Sequence, residues 1–278
     1  MNDIQTDRTS FSLHDRGWIK SVHEFIESLL NLREEISDRK LWYRGHSDTK
    51  YKLLPTIGRK HEYVGNATIF SIEQEEQLLH RFRRRIYPHT GKALKAGEAM
   101  FIARHHGLPT RILDWTANAL VGLYFACSTK PNKAATLWAI QKFDDSDDID
   151  AFKLSQIENE KDLFNKYPDG NKGVKNKRTE DAIKILHPIY DSPRIVAQDG
   201  AFTFHSNPKK AIDSYKTALF VKKNLDICNL YKWRIRSQHK RTCIEQLRGL
   251  GITHRTTFPD LDGIAKSLWE TEVLWQRK

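Results

Sequence analysis

Cysteine is scarce, and the three that occur lie far apart. Cys127, Cys228 and Cys243 form no Cys-x-x-Cys pair, which argues against a disulfide framework and a thiolate zinc site. Long apolar runs are missing too. The longest, Ala117 to Cys127, is interrupted by Asn118 and Gly122 and falls short of the ~20 residues that span a bilayer. Met1 to Arg8 is polar and carries acids, without the apolar centre of a signal peptide. No internal repeat is visible. These absences predict a cytoplasmic protein with no membrane partner and no metal.

What is present is a chain able to pack. Of 278 residues, 39% are hydrophobic and 29% charged, the balance of a globular domain rather than a disordered chain. The formal net charge of +11 favours an anionic partner, either nucleotide or nucleic acid, or an acidic regulatory protein. A plain solvated basic surface is the alternative.

Periodicity predicts a first helix over about 21–37, opened by the capping pattern of Ser21 and Glu24 and carrying Phe25, Leu29, Leu32 and Ile36 inward. Leu41-Trp42-Tyr43 reads as a short strand ending at Arg44 and Gly45, where glycine would permit a positive-φ turn. A second helix starts near Glu73, with acids first and arginines last. Its buried stripe is Leu79, Phe82 and Ile86, and Pro88 stops it. A third covers about 97–106 and closes at Gly107.

Pro109 to Trp115 is non-periodic, and Thr116 then caps an apolar helix to Cys127. Thr136 to Ile140 is a buried strand, and residues 143–180 are a polar excursion. Asp199-Gly200 suggests a hairpin. Tyr231, Trp233 and Ile235 alternate with Lys232, Arg234 and Arg236 as a half-buried strand. Helices follow over Ile244 to Leu250 and after Phe258-Pro259-Asp260, the last with Leu261, Ile264, Ala265 and Leu268 inward. The expectation is a single α+β domain, several helices around a small mixed or antiparallel sheet of three to six strands, with residues 1–20 as an extension of a domain over 21–278.

Four segments have compositions too specific for ordinary packing. In Trp42-Tyr43-Arg44-Gly45-His46, an arginine beside a glycine at a strand end can approach a phosphate and grip it bidentately; an ordinary turn arginine is the alternative. Ala103 to Thr116 concentrates His105, His106, Arg111, Asp114 and Trp115 beside Gly107 and Pro109. Adjacent histidines on a helix point about 100° apart, so hydrogen bonding or proton transfer suits them better than sharing a metal. Asp114 is either catalytic, paired with Arg111, or a helix cap. Around Arg194 to Phe202, Gln198 can read an amide or a ribose hydroxyl, against a plain turn. The acids of Phe258 to Gly263 are accounted for by the helix dipole.

Taken together, these segments resemble the FRG domain, a family of bacteria and phages named for a Phe-Arg-Gly motif. The resemblance rests on Tyr43-Arg44-Gly45, Leu53-Leu54-Pro55-Thr56 with Arg59, His105 to Thr116, Arg194 with Gln198, Gly200 and Phe202, and Phe258 to Gly263. It spans about 39–266, with Tyr43 where the naming phenylalanine stands. It implies a role in conflict systems, as toxin or antiviral defence.

An aromatic-Arg-Gly on a first strand is also similar to the opening motif of ADP-ribosyltransferases. That analogy implies an NAD-using transferase or glycohydrolase with no metal. Arg44 would clamp phosphate, aided by Arg111, beside Tyr43, Gly45 and His46. Tyr124 or Phe202 would be the aromatic shelf, near Trp115 and Thr116. His105, His106 and Gln198 would serve ribose and proton transfer. Those enzymes usually carry a late-strand glutamate; here Gln198-Asp199 stands instead, leaving Asp114 or Glu270 as the carboxylate. The alternative is a non-catalytic nucleic-acid-binding or nucleotide-sensing module. It would use the basic run from Lys222 to Arg241, with Tyr231 and Trp233 interleaved.

Overall fold

A computed structural model describes residues 11–36, 39–59, 71–142, 149–150, 155–166, 183–187, 192–214 and 227–275. Its framework is one mixed sheet of eight strands: β1 (Ser12–Ile19), β2 (Leu41–His46), β3 (Ile112–Thr116), β4 (Ala135–Lys142), β5 (Ile149–Asp150), β6 (Ile183–His187), β7 (Gly200–His205) and β8 (Ile227–Ile235). The order is β1-β8-β4-β2-β3-β7-β6-β5. The β1–β8 and β5–β6 pairs are parallel and the rest antiparallel. The α+β reading holds, and the sheet is wider than three to six strands.

The described helices are α1 (Val22–Ile36), α2 (Ile72–Arg85), α3 (Tyr87–Thr90), α4 (Ala96–His105), α5 (Ala119–Cys127), α6 (Glu160–Lys166), α7 (Pro193–Ala197), α8 (Ser237–Gly249), α9 (His254–Thr257) and α10 (Leu261–Trp275). Strand alternation sorts them. Leu41 and Tyr43 of β2 pack with α1, α5 and α8 around Phe25 and Trp233. Trp42, between them, joins Leu113, Trp115 and Trp138 in a second core. A third core unites α2, α4 and α6 with Ile112 and Phe204.

Several local expectations are corrected. Arg44 and Gly45 lie inside β2, and Gly45 does not have positive φ. The glycine serves a close approach instead. A Cβ there would lie 2.2 Å from the Ala126 nitrogen and 2.3 Å from the Gly122 oxygen, both backbone atoms of α5. Residues 112–116, read as non-periodic, form β3 because their hydrogen bonds go to β7. Thr116 ends that strand, and Asn118 caps α5 by accepting from the Leu120 and Val121 amides. No hairpin surrounds Asp199-Gly200. Ser192 accepts from the Ile195 amide and Pro193 opens α7, so a helical turn precedes β7.

The apolar stripe of α10 is turned outward: Leu261 is 83% exposed and Leu268 59%. Within the 143–180 excursion, α6 is no loose excursion, since Leu163 and Phe164 are buried in the third core. The acidic run 144–148 and Lys222 and Lys223 lie outside the described residues.

Candidate functional site

The site lies where the sheet is weakest. β2 and β3 share one paired position, Tyr43 with Thr116. Beyond it, Arg44 reaches across, and its Nη1 donates to the Asp114 carbonyl at 2.6 Å. A side chain thus satisfies a strand acceptor that continued pairing would otherwise occupy.

Asp114 projects towards α4, where Arg104 holds both carboxylate oxygens, Nε to Oδ1 at 3.1 Å and Nη2 to Oδ2. This two-pronged grip fixes the carboxylate plane. The Arg44 guanidinium stands 3.9 Å from Oδ2. Even so, the Asp114 side chain remains 40% exposed.

Two adjoining cavities share Asp114, Trp115, Arg194 and Gln198. The larger, about 790 Å³, is walled by α4 and β7, with Phe101 and Phe202 5.7 Å apart and His105 and His106 at its rim. The smaller, about 260 Å³, is lined by Arg44, His46, Ser47, Tyr51 and Arg59. Together they are of the size that takes a cofactor-sized ligand.

The smaller cavity is strongly positive. Burial, then the charges of Arg59 and Arg104, push Arg44 down to about 9 against the pull of Asp114, which leaves it charged at neutral pH. Arg59 is lowered by burial and by Arg104. His46 is driven down to about 2 by burial, Arg44 and Arg59, so it is neutral. Its Nε2 stands 3.2 Å from Arg44 Nε and its Nδ1 3.3 Å from Trp138 Nε1. Arg59 Nε donates to the Leu54 carbonyl at 3.0 Å. Among the described residues, Arg59 Nη1 and Nη2 and Arg44 Nη2 meet no protein acceptor.

The wall is pinned from behind. Trp115 Nε1 donates to Thr203 Oγ1 at 2.9 Å, and that hydroxyl stands 2.9 Å from His205 Nε2. Burial, then Arg111 and Arg44, lower His205 to about 3, so its ring is neutral. Thr116 Oγ1 donates to the Gln198 carbonyl, and Gln198 Nε2 donates to the Thr257 carbonyl at 3.2 Å. Arg194 lies 4.5 Å over the Phe258 ring. The Phe258 segment therefore holds two residues of the shared wall.

Some expected site residues fall elsewhere. Arg111 is not part of the clamp. It is 0% exposed and ion-paired to Glu75 at 2.6 Å, with Phe164 and Phe204 against its guanidinium. Asp114 pairs with Arg104, not Arg111. Tyr124 lines neither cavity; its hydroxyl meets His254 Nδ1 at 3.0 Å. Tyr43 packs in the first core and only borders the smaller cavity. Phe202 is where a shelf would stand. Gly107, at φ +81°, ends the histidine turn as expected. The sequence reading gave Arg104 and Phe101 no role; their signal was helical spacing, which sets them three apart on one face of α4.

On the basic strand β8, Tyr231 and Trp233 are core residues, while Lys232 and Arg234 pair with Asp15. The side chain of Glu270 lies outside the described residues. No group of three or more His, Cys, Asp or Glu able to hold a metal occurs among the described residues, and no described helix is long and apolar enough to cross a membrane.

Fold and site define an α+β domain with an arginine-lined cleft at a seam in its sheet. The FRG domain family model matches residues 39–135, so this part of the chain carries an FRG domain. The matched stretch includes Arg44, Arg59, Arg104 and Asp114, while Arg194, Gln198 and Phe258 lie beyond it. Comparison with curated proteins and with solved structures gives no match.

Proposed function

We propose that the cleft takes NAD and breaks the bond between nicotinamide and ribose, as an ADP-ribosyltransferase-like enzyme or an NAD glycohydrolase. The observation that carries this reading is Asp114. Its carboxylate is fixed by Arg104, partly open, and set between the cavity that holds Arg44 and Arg59 and the one that holds Phe101 and Phe202. When the glycosidic bond breaks, its electron pair leaves with nicotinamide, and positive charge develops on the ribose. A fixed carboxylate stabilises that charge without reorganising. Water or an acceptor hydroxyl then attacks the same carbon, and its proton passes to His105 or His106 at the rim. The Phe101 and Phe202 pair supplies a face for the nicotinamide ring. Consumption of NAD suits an effector of a bacterial or phage conflict system, acting as toxin or antiviral defence.

The test is release of free nicotinamide from NAD by the purified protein, with and without lysate as acceptor. Asp114→Asn should lower the rate by about 10²-fold or more, the scale of losing one electrostatic stabiliser, and Arg44→Ala should also impair it. Equal rates in wild type and Asp114→Asn would sink the assignment. NAD binding with no release under any condition would leave a nucleotide-sensing module instead.

A further inference from the structure

We propose that the smaller cavity is a diphosphate subsite in which Arg59, beside Arg44, is the specificity-determining cation, so that the ligand lies with its phosphates there and its ring end between Phe101 and Phe202. The polarity rests on the nucleotide reading above; the subsite itself has its own readout.

The first ground is unspent hydrogen-bonding capacity. Arg59 uses only Nε on the protein, and Arg44 uses Nε and Nη1. The remaining guanidinium N–H groups face the cavity without acceptors among the described residues. Guanidinium edges of this kind match phosphate oxygens in geometry and charge.

The second ground is charge. Arg44, Arg59 and Arg104 gather around one carboxylate, Asp114, and Arg104 already occupies both of its oxygens. Mutual repulsion is left uncancelled in a partly desolvated space, where it is screened least. His46, also in that cavity wall, is held neutral and meets Arg44 Nε through its Nε2, so it adds no charge and orients the clamp. A dianion offsets what the protein leaves unbalanced. The third ground is asymmetry. Arg44 and Arg59 line the smaller cavity and not the larger, the Phe101 and Phe202 rings line the larger and not the smaller, and Asp114 stands at the junction. A dinucleotide phosphate seated on Arg59 therefore sets its neighbouring ribose beside Asp114.

Inorganic pyrophosphate, titrated calorimetrically into the full chain, tests this. Arg59→Gln should weaken its binding by tenfold or more and Arg59→Lys by less. The exposed Arg84→Gln should match wild type. Melting of each variant without ligand checks the fold, since Arg59 also holds the Leu54 carbonyl. Nicotinamide alone should bind wild type and Arg59→Gln equally, because it carries no phosphate. Pyrophosphate binding that is absent, or equal in Arg59→Gln and Arg84→Gln, overturns the proposal. So does a single-stranded oligonucleotide that binds through Arg59 where ADP-ribose does not. If pyrophosphate binds as expected and NAD is not cleaved, the subsite stands and the reaction falls. If Arg59→Gln cleaves NAD with unchanged KM, the reaction stands and the subsite falls.

Discussion

At the scale of single residues, burial decides what an arginine does. Arg104 and Arg111 are seven positions apart, yet one grips a carboxylate at the cleft and the other is sealed beneath α2. Composition places both in one polar stretch and marks Arg111 as the candidate. The distinction depends on Glu75, thirty-six positions before Arg111, and no local pattern carries that information. Asp114 and the two histidines were legible because several polar types crowd one short stretch, and Arg44 because it stands beside a glycine on a short strand. Arg59 and Arg194 could be seen only as motif members, not as neighbours. The Arg111–Glu75 pair also sets a stability expectation. Removing one partner of a buried pair leaves an uncompensated charge, which costs about 3–5 kcal/mol. Glu75→Gln should therefore lower the urea midpoint strongly, and an unchanged midpoint would refute a structural role for the pair.

Elements obey a second rule, that of contact between backbones. The helices α1, α2 and α4 follow the sequence within a residue or two, since their caps and periodicity are local. Ser71, for example, exchanges hydrogen bonds with Gln74 at the start of α2. β3 was missed because its partners, β2 and β7, are distant in sequence. For α10 the apolar spacing gave the helix but not its orientation, because periodicity identifies a face without saying what covers it. At Gly45 the need for glycine was read correctly and its reason was not. The added methyl of Gly45→Ala would strike α5 backbone atoms that cannot turn aside. Overpacking of this kind costs about 1–3 kcal/mol, and more where backbone must shift. Thermal melts should show a clear loss for Gly45→Ala; a wild-type melting temperature would mean that α5 does not sit against β2 as described.

Across the whole molecule, the α+β class was legible from helical periods interleaved with short apolar runs. The breadth of the sheet was not, since edge strands such as β1 carry little alternation. The molecule as a whole also answers to pH through two buried histidines. His46 and His205 have folded values of about 2 and about 3, below the ordinary 6.5. The unfolded chain therefore binds their protons first. Their contribution is fully present above about pH 6.5 and is lost as pH falls towards the folded values. The slope reaches about 1.4 kcal/mol per pH unit for each ring. Urea midpoints measured at pH 7.5, 6 and 5 should fall progressively. A flat profile over that range would mean that the rings are not buried neutral.

The seam between β2 and β3 gives the cleft a mechanical character. On one side of it stand β1, β8, β4 and β2, and on the other β3, β7, β6 and β5. One strand pairing and the reach of Arg44 rivet these plates together within the sheet. An occupant lodged between Arg44 and Asp114 adds fasteners across the joint. Occupancy of the cleft and stiffness of the sheet are therefore two readings of one variable.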